Sequence, residues 1–205
     1  MNKEYKDRLL LIFTKNPVAG RVKTRLAKDL GDDRALRIYK FLLDHSVEFT
    51  SGVNAEKMVY YSDSIGEKDI WSTDIYQKKK QLGEDLGQRM FNAFQDGFRE
   101  GYQKIIIIGS DMYDIETSDI DLAFSELEKH DYVIGPALDG GYYLFGMKSL
   151  NSNVFVNKDW GTSSVRKDTL NDLKGEDVKL LETKNDVDLL DDIKDHPAFQ
   201  KFIKI

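Results

Sequence analysis

The 205-residue chain has no cysteine, which excludes disulfide frameworks, thiolate zinc sites and cysteine nucleophiles together. Any metal must be held by oxygen or histidine. A basic excess is also missing. The 30 lysines and arginines against 36 aspartates and glutamates leave a formal charge of −6, which argues against nucleic-acid binding and provides no polybasic face for anionic lipid. Long apolar runs are lacking too: Leu9 to Phe13 is too short for a signal-peptide core or a membrane span, so a cytoplasmic protein is expected. The chain shows no internal repeat, heptad run or low-complexity linker. His45, His130 and His196 have no metal-ligand spacing and read as structural, and no Ser-His-Asp arrangement can be picked out.

What is present is a regular alternation of strand-length apolar runs and helical patterns. Leu9–Phe13, Lys57–Tyr61, Lys104–Ile108, Tyr132–Ile134, Tyr142–Gly146 and a stretch near Val178–Leu181 read as strands, with Val154-Phe155-Val156 strand-like. Helices are expected from Thr24 to Gly31, from Asp32 or Asp33 as caps through Leu36, Tyr39, Leu43 and Val47, and after Gly87 with Met90, Phe91, Phe94 and Phe98 on one face. Further ones are expected over Ile120–Lys129 with Leu122, Phe124 and Leu127 inward, near Val165–Leu173, and through Leu189–Ile193. Ser62 to Lys80 is polar and shows no clear period. Hydrophobic content of 40% allows one substantial core, so one domain over 1–205 is expected. Strands alternating with helices predict a mainly parallel sheet with right-handed crossovers.

Two strands end alike. Ile105–Ile108 runs into Gly109-Ser110-Asp111, and Tyr132–Ile134 into Gly135-Pro136-Ala137-Leu138-Asp139-Gly140-Gly141, so Asp111 and Asp139 both fall beyond the carboxyl ends of strands, where open α/β sheets bind ligands. Asp111 suits a magnesium or manganese ion bound by one or two carboxylates plus substrate phosphates, with Asp114 as an outer partner; it equally suits the cap of a turn. Asp139-Gly140-Gly141 fits either a site or a plain hairpin turn. Tyr142 and Tyr143 alternate, which sends one to the core and the other to the pocket.

The loop Thr14 to Arg25 gathers Lys15, Arg21, Lys23 and Arg25 around Gly20 at a helix entrance, a setting for a diphosphate or for a merely solvated charge cluster. It matches neither a Walker loop nor G-x-G-x-x-G. Trp160, beside Gly161 and Thr162, offers a stacking surface or a core contact, and Thr162 or Ser163 a helix cap. Asp186, Asp188, Asp191 and Asp192 form either an acidic first turn or, through Asp186 or Asp188, a second metal ligand.

Taken in order, Phe13–Pro17 with Gly20–Leu26, Gly83–Met90, Gly109-Ser110-Asp111, Gly135–Leu144, Trp160-Gly161-Thr162 and Asp186-Val187-Asp188 resemble a bacterial family of A-type nucleotide-diphospho-sugar transferase-like proteins. These are glycosyltransferase-type proteins related to small nucleotidyltransferases such as the 2-phospholactate guanylyltransferases. The resemblance implies an α/β three-layer sandwich. It implies Asp111 and Asp139 as catalytic residues, and Lys15, Gly20, Lys23, Arg25 and Asp85 as nucleotide- and phosphate-binding. It further implies Gly140, Gly141, Tyr142, Trp160, Gly161 and Thr162 at the substrate, and Asp111 and Asp188 on Mg2+ or Mn2+. Family members commonly carry Cys-Pro where this chain has Met112-Tyr113, and threonine at Leu189. The expected activity is metal-dependent glycosyl transfer from a nucleotide-diphospho-sugar to a small-molecule acceptor. Its rivals are nucleotidyl transfer from a nucleoside triphosphate to a phosphorylated molecule, and non-catalytic nucleotide-sugar binding.

Overall fold

The computed structural model describes residues 6–204. Seven strands form one sheet: β1 (Arg8–Thr14), β2 (Glu56–Tyr61), β3 (Gln77–Lys80), β4 (Lys104–Gly109), β5 (Tyr132–Pro136), β6 (Tyr142–Met147) and β7 (Val178–Leu180), in the order β3-β2-β1-β4-β6-β5-β7. β6 alone among them runs against the rest, pairing antiparallel with β4 and β5. Helices α1 (Thr24–Leu30), α2 (Asp32–Ser51), α3 (Leu86–Arg99), α4 (Thr117–Glu126), α5 (Val165–Asp172), α6 (Leu190–Ile193) and α7 (Gln200–Ile203) complete the order.

The continuous apolar strands are explained by helices on both faces. Along β4, Ile106 and Ile108 join Leu10, Ile12 and Val59 against Tyr39, Leu43 and Phe124 from α2 and α4, while Ile105 and Ile107 join Leu9, Leu11 and Met58 against Met90, Ala93 and Phe94 from α3. That is the expected three-layer sandwich. A third cluster ties Leu26, Ile38 and Leu42 to Val187, Ile193 and Phe199, fastening the C-terminal segment to α1 and α2.

Four local expectations change. Ser62–Lys80 contains the edge strand β3, whose lysine-rich sequence hides it from a hydrophobicity reading and suits an exposed edge. Val154-Phe155-Val156 is no strand: Ser152–Phe155 is a 3-10 turn started by the Asn151 side chain, which accepts from the Asn153 amide. Leu122 is 50% exposed, while Ile120, Ala123 and Phe124 supply the inner face of α4. Gly31 caps α2, with Asp32 and Asp33 in its first turn, and α5 begins after Ser164 with no side-chain cap from Thr162 or Ser163. No helix of the described residues is long and apolar enough to cross a membrane.

Candidate active site

From β1 the chain crosses to β2 on one side and later returns to β4 on the other, so the carboxyl ends of β1 and β4 flank a topological switch point. Phe13 pairs with Gly109 there, and the Ser110 amide donates to the Phe13 carbonyl at 3.1 Å. Lys15 and Asp111 therefore leave the sheet side by side. A buried hydroxyl chain holds the two exits together. Ser46 Oγ donates to the Ser110 carbonyl at 2.9 Å, Ser110 Oγ to Thr14 Oγ1 at 2.9 Å, and the Tyr39 hydroxyl accepts from the Lys15 amide at 2.9 Å while donating to the Lys15 carbonyl at 3.0 Å. Burial, and next the charge of Asp111, push the Tyr39 hydroxyl's pKa up, so it stays a protonated strut. Tyr39, Ser46 and Thr14 were not singled out from sequence, because a helical apolar period registers Tyr39 only as a core position.

The basic loop reaches the same point. Val22 is buried in the core and Lys23 adopts a left-handed conformation (φ 47°) at the cap of α1, which turns its side chain inward: only 5% exposed, its Nζ lies 2.8 Å from Asp111 Oδ2. Burial works against the Asp111 carboxylate, but the charge and hydrogen bond of Lys23, with Lys15 behind, outweigh it and hold Asp111 below the usual carboxylate range. Asn16 clamps the loop after β2 through Asp63 and Ser64, and Gly20 supplies a positive-φ turn.

On the far side, Asp139 Oδ1 accepts from the Gly141 amide at 2.7 Å. Gly140 (φ 93°) sits so close to the following segment that a Cβ there would lie 2.4 Å from the Ser163 carbonyl. Beside this turn the Leu138 amide donates to the Lys184 carbonyl at 3.0 Å, bringing the C-terminal segment alongside. Asp186 is thereby delivered to the switch point. Its buried Oδ1 makes no hydrogen bond, and burial, then the charges of Asp139 and Asp111, push its carboxyl up to about 7 against the opposing pull of Lys23.

Between these groups lies a cleft of about 240 Å³ bounded by Phe13, Gly109, Asp139, Tyr142, Trp160 and Asp186, with Gly141, Gly161 and Thr162 also on its wall. Lys23, Asp111 and Asp188 line an adjoining recess that shares Gly109, Tyr142, Tyr143 and Asp186 with it. Tyr142 and Tyr143 pack with opposite faces of the sheet, and both reach the cleft. Arg25 links the recess to the cleft wall, donating to Asp188 Oδ2 at 2.7 Å and to the Gly161 carbonyl at 3.4 Å. Thr162 Oγ1 donates to the Asp159 carbonyl at 2.8 Å. Asp85 lies apart from this cleft, capping α3 by accepting the Gln88 amide at 2.8 Å. Asp114 is exposed, and the neighbouring Tyr113 stacks on Phe41 with ring centres 5.5 Å apart and meets Phe199 at 5.0 Å, so Tyr113 anchors the C-terminal segment while Met112 packs in the main core.

Residues 47–162 match the bacterial family described as "Uncharacterized protein conserved in bacteria (DUF2064)". The chain belongs to this family. A crystal structure of a Desulfovibrio desulfuricans G20 protein, proposed there to be a nucleotide-diphospho-sugar transferase, superposes on this DUF2064 protein with a TM-score of 0.85 at 30% identity, over 96% of this chain and 91% of that one. The 4-diphosphocytidyl-2C-methyl-D-erythritol synthase of Anaerococcus prevotii DSM 20548 superposes at 0.62 and 10% identity over 96% of each chain. The manganese complex of Rv0371c from Mycobacterium tuberculosis H37Rv superposes at 0.56 and 14% identity, over 93% and 97%. These last two share the fold alone. No curated protein matches the chain. The DUF2064 protein thus has the α/β fold on which nucleotide-diphospho-sugar transferases and nucleotidyltransferases are built.

Among the described residues, no three His, Cys, Asp or Glu side chains form a ready-made metal cage. A partial donor set is nevertheless present: Asp111, held ionised, and Asp186, with its uncommitted buried oxygen, share the recess. Such a pair fits a hard divalent cation whose remaining positions are filled by phosphate oxygens and water. Asp111 and Asp188 each carry a cationic partner, Lys23 and Arg25 respectively, whereas Asp186 has none of its own among the described residues.

Proposed function

We propose that this protein transfers a glycosyl group from a nucleotide-diphospho-sugar to a small-molecule acceptor, with Mg2+ or Mn2+ held by Asp111 and Asp186. The observation that carries this reading is the gathering of those carboxylates with Lys23 in a recess that adjoins the Asp139 cleft, with the charge of Lys15 felt at Asp111 and Arg25 bridged to Asp188. A bound divalent cation would supply Lewis-acid neutralisation of the diphosphate.

The residues of the chain do the rest. As the anomeric carbon–oxygen bond breaks, negative charge grows on the departing nucleoside diphosphate, and Lys23, buried and held at Asp111, stabilises it without having to reorganise, while Lys15, its backbone fixed by the Tyr39 hydroxyl, adds an exposed positive charge beside it. Asp139, with one oxygen tied to the Gly141 amide, is positioned to take the proton of the acceptor hydroxyl as that oxygen bonds to the anomeric carbon. Trp160 supplies an apolar wall for the sugar. Arg25, bridging Asp188 and the Gly161 carbonyl, closes the recess over the diphosphate.

The test is turnover with a panel of nucleotide-diphospho-sugars and small hydroxylated acceptors, with and without Mg2+ or Mn2+, reading the released nucleotide. Release of nucleoside diphosphate, cut roughly 10²-fold or more in Asp111→Ala, is expected. Pyrophosphate released from a nucleoside triphosphate would replace this reading with nucleotidyl transfer. Full metal-dependent turnover by Asp111→Ala would remove the role given to Asp111.

A further inference from the structure

A second groove, of about 470 Å³, shares Trp160 with the candidate active site. That size falls within the range of small-molecule sites, roughly 300–1,000 Å³. Its apolar part is Phe91, Phe155, Val156 and the Trp160 indole. The Phe91 and Phe155 rings meet at 6.0 Å, and Val156 lies 51% exposed at the edge. Amides and a hydroxyl from Gln88, Asn157 and Ser152 complete the lining.

α3 and the 3-10 turn are closely packed beside the groove. Gly87, in the first turn of α3, lies so close to the 3-10 turn and to Trp160 that a Cβ there would sit 2.2 Å from the Phe155 carbonyl and 2.6 Å from the indole nitrogen. One side chain, Trp160, is a wall of both cavities and packs closely on Gly87.

Charge decides what the groove accepts. Its one cation, Lys158, is 1% exposed and bridged to Asp172, so its charge is already neutralised. Asp85 contributes a carboxylate at the groove, with one oxygen occupied in capping α3. A phosphorylated ligand would find no free cation there and would face this carboxylate. Apolar rings beside neutral amides and a hydroxyl instead match a molecule that stacks on one face and hydrogen-bonds through the other.

We infer that this groove is a second small-molecule site, which takes an uncharged, hydroxyl-rich molecule of the sugar or glycoside class and excludes its phosphorylated forms. This binding does not depend on the glycosyl-transfer reading above.

The experiment is a 1H–15N titration of the full chain with uncharged p-nitrophenyl glycosides of the common hexoses and pentoses, and with p-nitrophenyl glucoside 6-phosphate. The chain has two tryptophans. Trp71, 2% exposed and packed on Tyr76 at 5.0 Å, is the internal reference. Saturable movement of the Trp160 indole resonance by at least one neutral glycoside, with Trp71 unmoved and the phosphate bound at least tenfold more weakly, is the expected result. Val156→Asp should weaken the neutral glycoside about tenfold, the loss of one valine-sized apolar contact, and Val156→Lys should improve binding of the 6-phosphate. No movement of Trp160 with any neutral glycoside, equal binding of the phosphate, or indifference to both Val156 variants would overturn the assignment. Calorimetry of the same samples with nucleotide-diphospho-sugars and Mg2+ separates the two claims: glycoside binding without nucleotide binding would end the transferase reading and leave the groove standing.

Discussion

Replacing Asp186 with asparagine should stabilise the metal-free protein, although it alters a residue of the candidate site. Burial, then the charges of Asp139 and Asp111, move the Asp186 carboxyl from 3.8 to about 7. Between these values the folded state binds more protons than the unfolded one. Stability therefore falls as pH rises through this window, and the loss is complete above the folded-state value. At about 1.36 kcal/mol per unit, the three-unit shift sets a ceiling of roughly 4 kcal/mol. Because Asp139 and Asp186 interact, a net effect of about 2 kcal/mol is the working expectation. For a chain of this length that is roughly 4–8 °C in melting temperature. Thermal unfolding of wild type and Asp186→Asn between pH 4.5 and 8.5, in chelator, should show curves that nearly coincide at the acid end and separate as pH rises, the variant melting higher. Added Mg2+ with a nucleotide diphosphate should reverse the order, since ligand binding stabilises only the protein that keeps the donor oxygens. A variant that melts at or below wild type at pH 8 in chelator would refute the claim that Asp186 is a destabilised carboxylate.

Three further perturbations probe the rest of the site. Gly140→Ala places a Cβ 2.4 Å from the Ser163 carbonyl at φ 93°, so the Asp139 turn must open; calorimetry should show lost donor binding together with a destabilisation of about 1–3 kcal/mol. Gly87→Ala forces Trp160 and the Phe155 carbonyl apart, and should change tryptophan fluorescence and lower the melting temperature by a few degrees, equivalent to about 1–3 kcal/mol. Tyr39→Phe leaves the Lys15 amide without its hydroxyl partner and should cost about 1–3 kcal/mol in denaturant unfolding while weakening nucleotide affinity. Unchanged affinity in that variant would show that the Lys15 loop holds its place without the hydroxyl.

Long, strongly patterned elements were the legible ones. The four isoleucines of β4 announce a strand covered on both faces because each alternate residue needs its own apolar layer. The amphipathic period of α3 survives translation into structure for the same reason. Edge and connecting elements were not legible, since β3 has lysines where a buried strand has apolar residues and Val154-Phe155-Val156 has the composition of a strand but follows a side-chain hydrogen bond that turns the chain. Within the site, the motifs located Asp111, Asp139, Lys23 and Arg25. They left Asp186 and Asp188, two residues apart in one acidic stretch, as alternatives, because what distinguishes the two, the reach of Arg25 to Asp188 and the burial of Asp186 facing other carboxylates, is a matter of tertiary approach.

By itself, then, the sequence determined the class of fold and the two strand ends at which aspartates emerge, since both follow from local apolar period and from glycine placement. Tertiary structure decided the rest. A left-handed turn at Lys23, a tyrosine hydroxyl from α2 and a C-terminal segment paired beside Leu138 bring charges from distant parts of the chain within reach of one another. The field that sets each carboxylate's protonation is the sum of those approaches, and no local pattern encodes a distance across the fold.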